Sequence, residues 1–290
     1  MLTEFAPAKV NLSLHVGPVR LDGYHPLDSL VVFASVGDQL LIEQGEGLSL
    51  TIEGEGADIL REEPHNLVLK AAYALRAVAD NPDLGARMTL HKRLPLQSGL
   101  GGGSADAAAA LRGLAQYWGL DLSVKQLAEI GSVVGSDVPA CVYNRPLVMR
   151  GRGEKISPLV AWPSLHGVLV NPRVNVPTGP VFAAYDSAPV AALSEGALPF
   201  AGDHASAILC LSKTRNDLQA PALAQAPIIE TVLGELCGLD GADLVRMTGS
   251  GATCFALFAN DDLAHAAAQT LKARHAGWWI EAVTFKSALL

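Results

Sequence analysis

The sequence predicts an α+β protein of two domains, and three observations predict it. Strand-like and helix-like periodicities are both plentiful, but they do not alternate βαβα along the chain. At 290 residues the chain is near twice a typical domain of about 100–150 residues. A proline-rich tract from Pro158 to Pro180 shifts the composition past the midpoint, which sets the expected division at 1–155 and 156–290.

Half of the residues are hydrophobic and 17% are charged, ample for a packed core and far from a disordered composition. With 21 basic and 29 acidic side chains the net charge is −8, and no cluster of Lys and Arg stands out. That balance argues against a nucleic-acid partner and leaves room for a small anionic ligand, which a few local donors can hold. Cys141, Cys210, Cys237 and Cys254 form no C-x-x-C pattern and read as reduced core thiols of a cytoplasmic protein. The longest uncharged stretch, Ile156 to Pro172, is broken by prolines and falls short of the about 18 apolar residues a membrane span needs. The segment from Met1 to Pro7 has no basic region followed by an apolar one, so export is not expected. The expected partners are therefore small molecules, with no nucleic acid and no membrane.

The elements follow in order. Val10, Leu12 and Leu14 alternate with Asn11, Ser13 and His15, the period of a half-buried strand. Strands are expected at Leu30–Val36, Leu40–Glu43 and Leu48–Ile52, separated by Gly and Asp turns. Leu67, Leu69, Ala72, Leu75 and Val78 carry helical spacing over Asn66–Ala79, and Pro82 stops it. Met88–Leu94 alternates as a strand and runs at Pro95 into a glycine loop, after which Ala105–Tyr117 is alanine-rich and helical. Helices are expected at Val124–Ile130, Ala205–Leu211, Pro227–Leu236 and Asp262–Ala273. Strands are expected at Thr253–Phe258 and Trp278–Phe285.

The loop is the strongest chemical signal. Gly99, Gly101, Gly102 and Gly103 let a ligand approach the backbone and point successive N–H groups into one concavity, and Ser104 starts a helix whose positive end favours an anion. A phosphate fits such a site, and a ligand-free strand-to-helix turn is the competing reading. The Walker pattern fails because no Lys precedes Ser104, and the dinucleotide fingerprint fails because Ser104 stands where its last Gly belongs.

Five blocks, in order, carry a resemblance: Pro7-Ala8-Lys9-Val10-Asn11-Leu12, Arg20-Leu21-Asp22-Gly23-Tyr24-His25, the loop Leu94 to Ala105, Gly135-Ser136-Asp137-Val138-Pro139, and Thr248-Gly249-Ser250-Gly251-Ala252. The chain resembles the GHMP kinases. Its opening block, its D-G-Y-H sequence and its G-S-D-V-P segment look like the members that phosphorylate the C2 hydroxyl of a cytidine diphosphate-linked methylerythritol, in the non-mevalonate route to isoprenoids. The resemblance implies a ribosomal-S5-like N-terminal domain that binds ATP and a ferredoxin-like C-terminal domain, with the active site between them.

The same resemblance implies the roles. ATP phosphates lie on Pro95, Leu96, Gln97, Ser98, Gly99, Leu100, Gly101, Gly102, Gly103, Ser104 and Ala105. Asp137 matches the catalytic aspartate and Lys9 the lysine beside it. Asn11 binds substrate, the turn with Gly249 and Ser250 closes over the phosphates and acceptor, Thr178 borders the cytidine pocket, Tyr24 and Phe182 sandwich the base, and His25 hydrogen-bonds its edge. Mg²⁺ arrives mainly through ATP, with Ser104 or Asp106 as candidate contacts. By residue type alone, Lys9 reads as a solvated strand-end charge, Asp137 as the cap of a helix or turn, Asp106 as a complement to the helix dipole, and Tyr24 and Phe182 as core aromatics. Ala105 stands where many relatives carry a second Ser. Other GHMP kinases, acting on homoserine, mevalonate or a sugar, would share the glycine loop. A non-catalytic sensor on the same fold is the rival of a different class, and failure to bind a nicotinamide cofactor would discard an oxidoreductase reading.

Overall fold

A computed structural model describes residues 1–61, 66–187, 193 and 197–288. Its strands are β1 (Leu2–Asn11), β2 (His15–Val16), β3 (Leu27–Glu43), β4 (Leu48–Gly54), β5 (Ala86–Lys92), β6 (Leu147–Gly151), β7 (Lys155–Pro158), β8 (Leu165–Asn171), β9 (Ala242–Met247), β10 (Cys254–Phe258) and β11 (Trp279–Phe285). Its helices are α1 (Ala57–Arg61), α2 (Leu67–Val78), α3 (Gly102–Tyr117), α4 (Val124–Ser132), α5 (Val138–Tyr143), α6 (Thr178–Asp186), α7 (His204–Leu211), α8 (Gln219–Gln225), α9 (Ile228–Cys237) and α10 (Asp261–Arg274). The mixture is α+β, as the sequence predicts. Among the described residues no helix is long and apolar enough to cross a membrane.

The chain forms two compact units, each assembled from separate stretches: Met1–Lys9, Val36–Leu96 and Gly101–Asn144 in the first, Val10–Ser35, Gln97–Leu100 and Arg145–Leu290 in the second. In the first unit β5 pairs antiparallel with β3 (Leu40 opposite Leu90) and parallel with β4 (Leu50 opposite Met88). Ala86, Met88, Leu90 and Lys92 face inward along β5 while Arg87 lies outside, the period-2 pattern of a half-buried strand. Ala107–Ala110, Leu111 and Leu114 are buried on α3, because small side chains let neighbouring elements approach closely. Asn66 accepts the Val68 N–H and so caps α2.

In the second unit β8 lies between β11 and β10, and β9 flanks β10, all antiparallel (Ile280 opposite Val170, Phe255 opposite Leu169 and Arg246). Ile229, Val232, Leu236, Ala264 and Leu271 from α9 and α10 join Val168, Val170, Phe258 and Ile280 in its core. The first part of β3 pairs with β2 and β6, and β6 continues into β7 as a hairpin.

Several expectations are corrected, among them the core placement of all four cysteines: Cys141 and Cys254 are buried, but Cys210 is half-buried and Cys237 is exposed. The two strands foreseen at Leu30–Val36 and Leu40–Glu43 are one, β3. Gly37 is no turn: a Cβ there would fall 2.3 Å from the Ala6 carbonyl oxygen, so glycine answers close approach of β1. The half-buried alternation from Val10 to His15 is also overturned, because Asn11 and Ser13 are buried with the leucines. Their polar groups are met internally: Asn11 Nδ2 donates to Ser29 Oγ (2.7 Å), whose hydroxyl donates to the Ser13 carbonyl (2.6 Å). Helix α3 begins at Gly102, ahead of Ser104. Inside the proline-rich tract lie β8, buried throughout except at His166, and the start of α6, whose Pro180 sits in the first turn where proline is tolerated.

Candidate active site

In the first unit the α3 N-terminus, Lys9 and Asp137 come together. Gly101 is the N-cap of α3 in the left-handed region (φ +63°) and supplies no side-chain cap, so the first amides of the helix keep their N–H groups available to an anion. A Cβ at Gly101 would lie 2.9 Å from Lys9 Cε, so the loop rests directly on the lysine stem. At Gly102 and Gly103 an added Cβ would meet only ordinary contacts, with Lys92 Nζ and Leu67 Cδ1 each at 3.5 Å. Internal packing therefore does not require glycine at those two positions, whereas a ligand close to the backbone would.

Lys9 is 4% exposed, which overturns its reading as a solvated charge. Its ammonium is 2.9 Å from Asp137 Oδ2, and the Asp137 side chain keeps 35% of its surface exposed. Asp137 occupies the N-cap position of α5 but makes no side-chain cap hydrogen bond; the carboxylate turns to the lysine instead. A buried cation facing a partly exposed carboxylate next to a helix N-terminus can hold an anionic group and orient a hydroxyl beside it.

Under this cluster lies a buried triad that sequence reasoning missed. Lys92 Nζ donates to Asp38 Oδ2 (2.5 Å) and Asp106 Oδ2 (2.7 Å), and Asp38 Oδ1 accepts from the Arg93 and Leu94 N–H groups. Burial pushes the Asp106 carboxyl up to about 7, against the pull of Lys92. Burial alone would lower Lys92, but the two carboxylates outweigh it and raise its pKa. Asp106 Oδ1 is buried without a hydrogen-bond partner. The reading of Asp106 as a complement to the helix dipole is overturned: α3 starts at Gly102, so Asp106 lies beyond its first turn, and its carboxylate accepts from Lys92. Its signal in the sequence was a charge inside an alanine-rich helix.

In the second unit two glycine turns pack backbone to backbone. The Thr253 N–H donates to the Ser98 carbonyl (3.2 Å), and Gly99 (φ +77°) would place a Cβ 2.7 Å from the Thr248 carbonyl oxygen. Thr248 Oγ1 accepts from the Asn11 N–H (2.8 Å), which brings Asn11 to the same turn. Thr178 and Ser250 face each other through their hydroxyls at 3.0 Å. Asn216 Nδ2 donates to the Met247 and Gly249 carbonyls, fixing the turn from below.

Also in the second unit, Tyr24 is 53% exposed, which sets aside its reading as a core aromatic, and the Arg152 guanidinium lies 4.4 Å from its ring centroid. Asp22 accepts the Tyr24 N–H (3.0 Å) and pairs with Arg152. Phe182 packs against the core and its ring meets that of His25 at 4.9 Å, tilted by 32°. His25 Nδ1 donates to the Gly17 carbonyl (3.0 Å), and Nε2 is 3.4 Å from Asp186 Oδ2.

Residues 66–145, from α2 through α5, match the GHMP kinases N terminal domain, and residues 197–277 match the GHMP kinases C terminal domain. Fold and site thus define a kinase of the GHMP class. The chain is 47% identical over 284 residues to the 4-diphosphocytidyl-2-C-methyl-D-erythritol kinase of Cereibacter sphaeroides (strain ATCC 17025 / ATH 2.4.3), covering 97% of this chain and 98% of that one. It is also 47% identical over 285 residues to the enzyme of the same name from Methylorubrum extorquens (strain PA1), with the same coverage. A crystal structure of a 4-(cytidine 5'-diphospho)-2C-methyl-D-erythritol kinase superposes with a TM-score of 0.79 at 32% identity, covering 98% of this chain and 99% of that one. The chain belongs to the family of 4-diphosphocytidyl-2-C-methyl-D-erythritol kinases.

Proposed function

We propose that the chain transfers the γ-phosphoryl group of ATP to the C2 hydroxyl of 4-diphosphocytidyl-2-C-methyl-D-erythritol, a step toward isoprenoid precursors. Family membership supplies the substrate. The observation that supports the chemistry is the buried Lys9 facing Asp137 at 2.9 Å, beside a helix N-terminus that no side chain caps.

Residues 1–155 carry the ATP-binding and catalytic groups in this reading, and 156–290 form the C-terminal kinase domain. The loop from Pro95 to Ala105 cradles the phosphates through its N–H groups. Phosphoryl transfer runs through a loose transition state, so positioning and charge stabilisation do most of the work. Lys9 offsets negative charge on the transferred group and the acceptor oxygen, while Asp137 orients the acceptor hydroxyl and takes its proton. Tyr24 and Phe182 border the cytosine, with His25 at its edge; Asn11, Thr178, Gly249 and Ser250 line the acceptor.

Among the described residues no group of three or more His, Cys, Asp or Glu could hold a metal ion. In this reading Mg²⁺ would be bound chiefly through the substrate phosphates, since this ion keeps several waters and takes few protein ligands. When bound it would neutralise charge on the β- and γ-phosphates, with Ser104 as a candidate hydroxyl.

An ADP-release assay with 4-diphosphocytidyl-2-C-methyl-D-erythritol, homoserine, mevalonate and galactose as acceptors tests the reading. Turnover with the first alone is expected; turnover with one of the others and none with the first would overturn it.

A further inference from the structure

Asp137 sits at the head of a helix of only six residues, and Lys9 near the end of β1. Their spacing depends on how that short helix docks against the strand. Arg112, on α3, touches both elements at once. Its Nη1 donates to the Cys141 carbonyl and its Nη2 to the Phe5 carbonyl, each at 2.9 Å, and Nε donates to Glu4 Oε2 at 3.2 Å. Cys141 lies one turn below Asp137, to whose carbonyl its N–H donates (3.2 Å). Its own carbonyl is among the last four of the helix, which have no partner within it, and a cation there also opposes the negative helix end. Phe5 lies on the strand that carries Lys9. The Arg112 side chain is largely buried, and a planar fork that spans two carbonyls fixes direction as well as distance.

We propose that Arg112 is a positioning residue for phosphoryl transfer: by gripping the Phe5 and Cys141 carbonyls it sets the separation of Lys9 and Asp137. This rests on the reading of those two residues as the reacting pair.

The test is a double-mutant cycle. Arg112→Met removes the fork and keeps the stem, and Asp137→Asn removes the proton acceptor. Turnover and both KM values are measured for each variant and for the pair, with turnover scaled to the folded fraction from a circular-dichroism melt. Arg112→Met is expected to lower kcat by about tenfold or more with both KM values within about twofold, since small misplacements at a reacting centre are costly. In the Asp137→Asn background the same change is expected to cost less than about twofold, because groups acting as a unit are not additive. Arg112→Lys, which keeps one donor and the charge, should recover part of the loss, and it replaces the Met variant in the cycle if that variant does not fold. Equal losses in both backgrounds, or a lower melting temperature with kcat intact, would overturn the proposal while leaving the reacting pair in place. Wild-type turnover in Asp137→Asn would overturn the pair, and the proposal with it.

Discussion

A Cβ added at Gly99 would lie 2.7 Å from the Thr248 carbonyl oxygen and 2.9 Å from that of Gly251, at a φ of +77° that L side chains rarely adopt. At Gly103 the added atom would meet Leu67 Cδ1 at 3.5 Å, inside a helix where alanine is favoured over glycine by about 0.5–1 kcal/mol. The two substitutions should therefore separate fold from function. Gly99→Ala is expected to lower the urea midpoint, whereas Gly103→Ala should hold or raise it and still weaken binding of a non-hydrolysable ATP analogue. Unchanged nucleotide affinity in Gly103→Ala would remove that residue from the phosphate site. The aromatic pair invites a similar contrast. Stacking on a base is worth ~1–3 kcal/mol, so Leu at Tyr24 or Phe182 should raise the acceptor KM by about tenfold while the ATP KM stays nearly fixed. Only the Phe182 variant should also lose thermal stability, since that ring packs against the core and Tyr24 is exposed. If the acceptor KM moves in neither variant, the base lies elsewhere. The glycine pattern was legible because its meaning is local. The burial of Lys9 was not, because it depends on a carboxylate far along the chain that no spacing rule connects to it.

Lys92 closes β5, Asp38 lies within β3 and Asp106 in α3, so one ammonium ties three elements together out of water. Removing one partner of a buried ion pair leaves its counterpart uncompensated, typically at about 3–5 kcal/mol. Lys92→Met, which leaves two buried carboxylates facing each other, should destabilise the protein in that range by urea titration; a cost under about 1 kcal/mol would mean that the triad is solvated. The triad also sets a pH dependence. Asp106 is raised from 3.8 to about 7 by burial, so between those values the folded state holds the proton more tightly than the unfolded one. The stability this group contributes is fully present below 3.8 and is lost as pH rises through about 7. Asp106→Asn should flatten the unfolding free energy across that window, and an unchanged slope would assign it to other groups. Elements with local signals were legible: the capped α2, the alternating β5, the alanine-rich α3 and the charged ends of α10. Glycine and aspartate at 37 and 38 signalled a turn, yet β3 runs through them. Close approach of Ala6 fills the place of a glycine side chain and Lys92 neutralises the aspartate, and both partners are tertiary. Helix α6 and strand β8 were hidden because prolines around them carried the local signal for irregular structure.

The compact units do not follow the chain in two consecutive halves. The second takes Val10–Ser35 and Gln97–Leu100 together with everything from Arg145 onward. The N-terminal stretch makes specific demands within that unit. The Leu14 N–H donates to the Arg215 carbonyl and the Asp217 N–H to the Leu14 carbonyl, each at 2.9 Å, while Tyr185 donates its hydroxyl to the Val16 carbonyl. Arg246, buried and lowered to about 10 by desolvation, gives one of its guanidinium bonds to the Leu12 carbonyl. Leu14 and Val16 are themselves members of the second unit's hydrophobic core. A fragment of residues 156–290 retains β8–β11 and α6–α10 but loses all of these partners, leaving a buried charge short of an acceptor and an apolar face uncovered. Such a fragment is expected to show no cooperative urea transition by near-ultraviolet circular dichroism, and to regain one when residues 1–155 are supplied in trans. A steep, reversible transition in the isolated fragment would show that the contacts from Val10 to Ser35 are dispensable for folding of the stretch after the proline-rich tract begins.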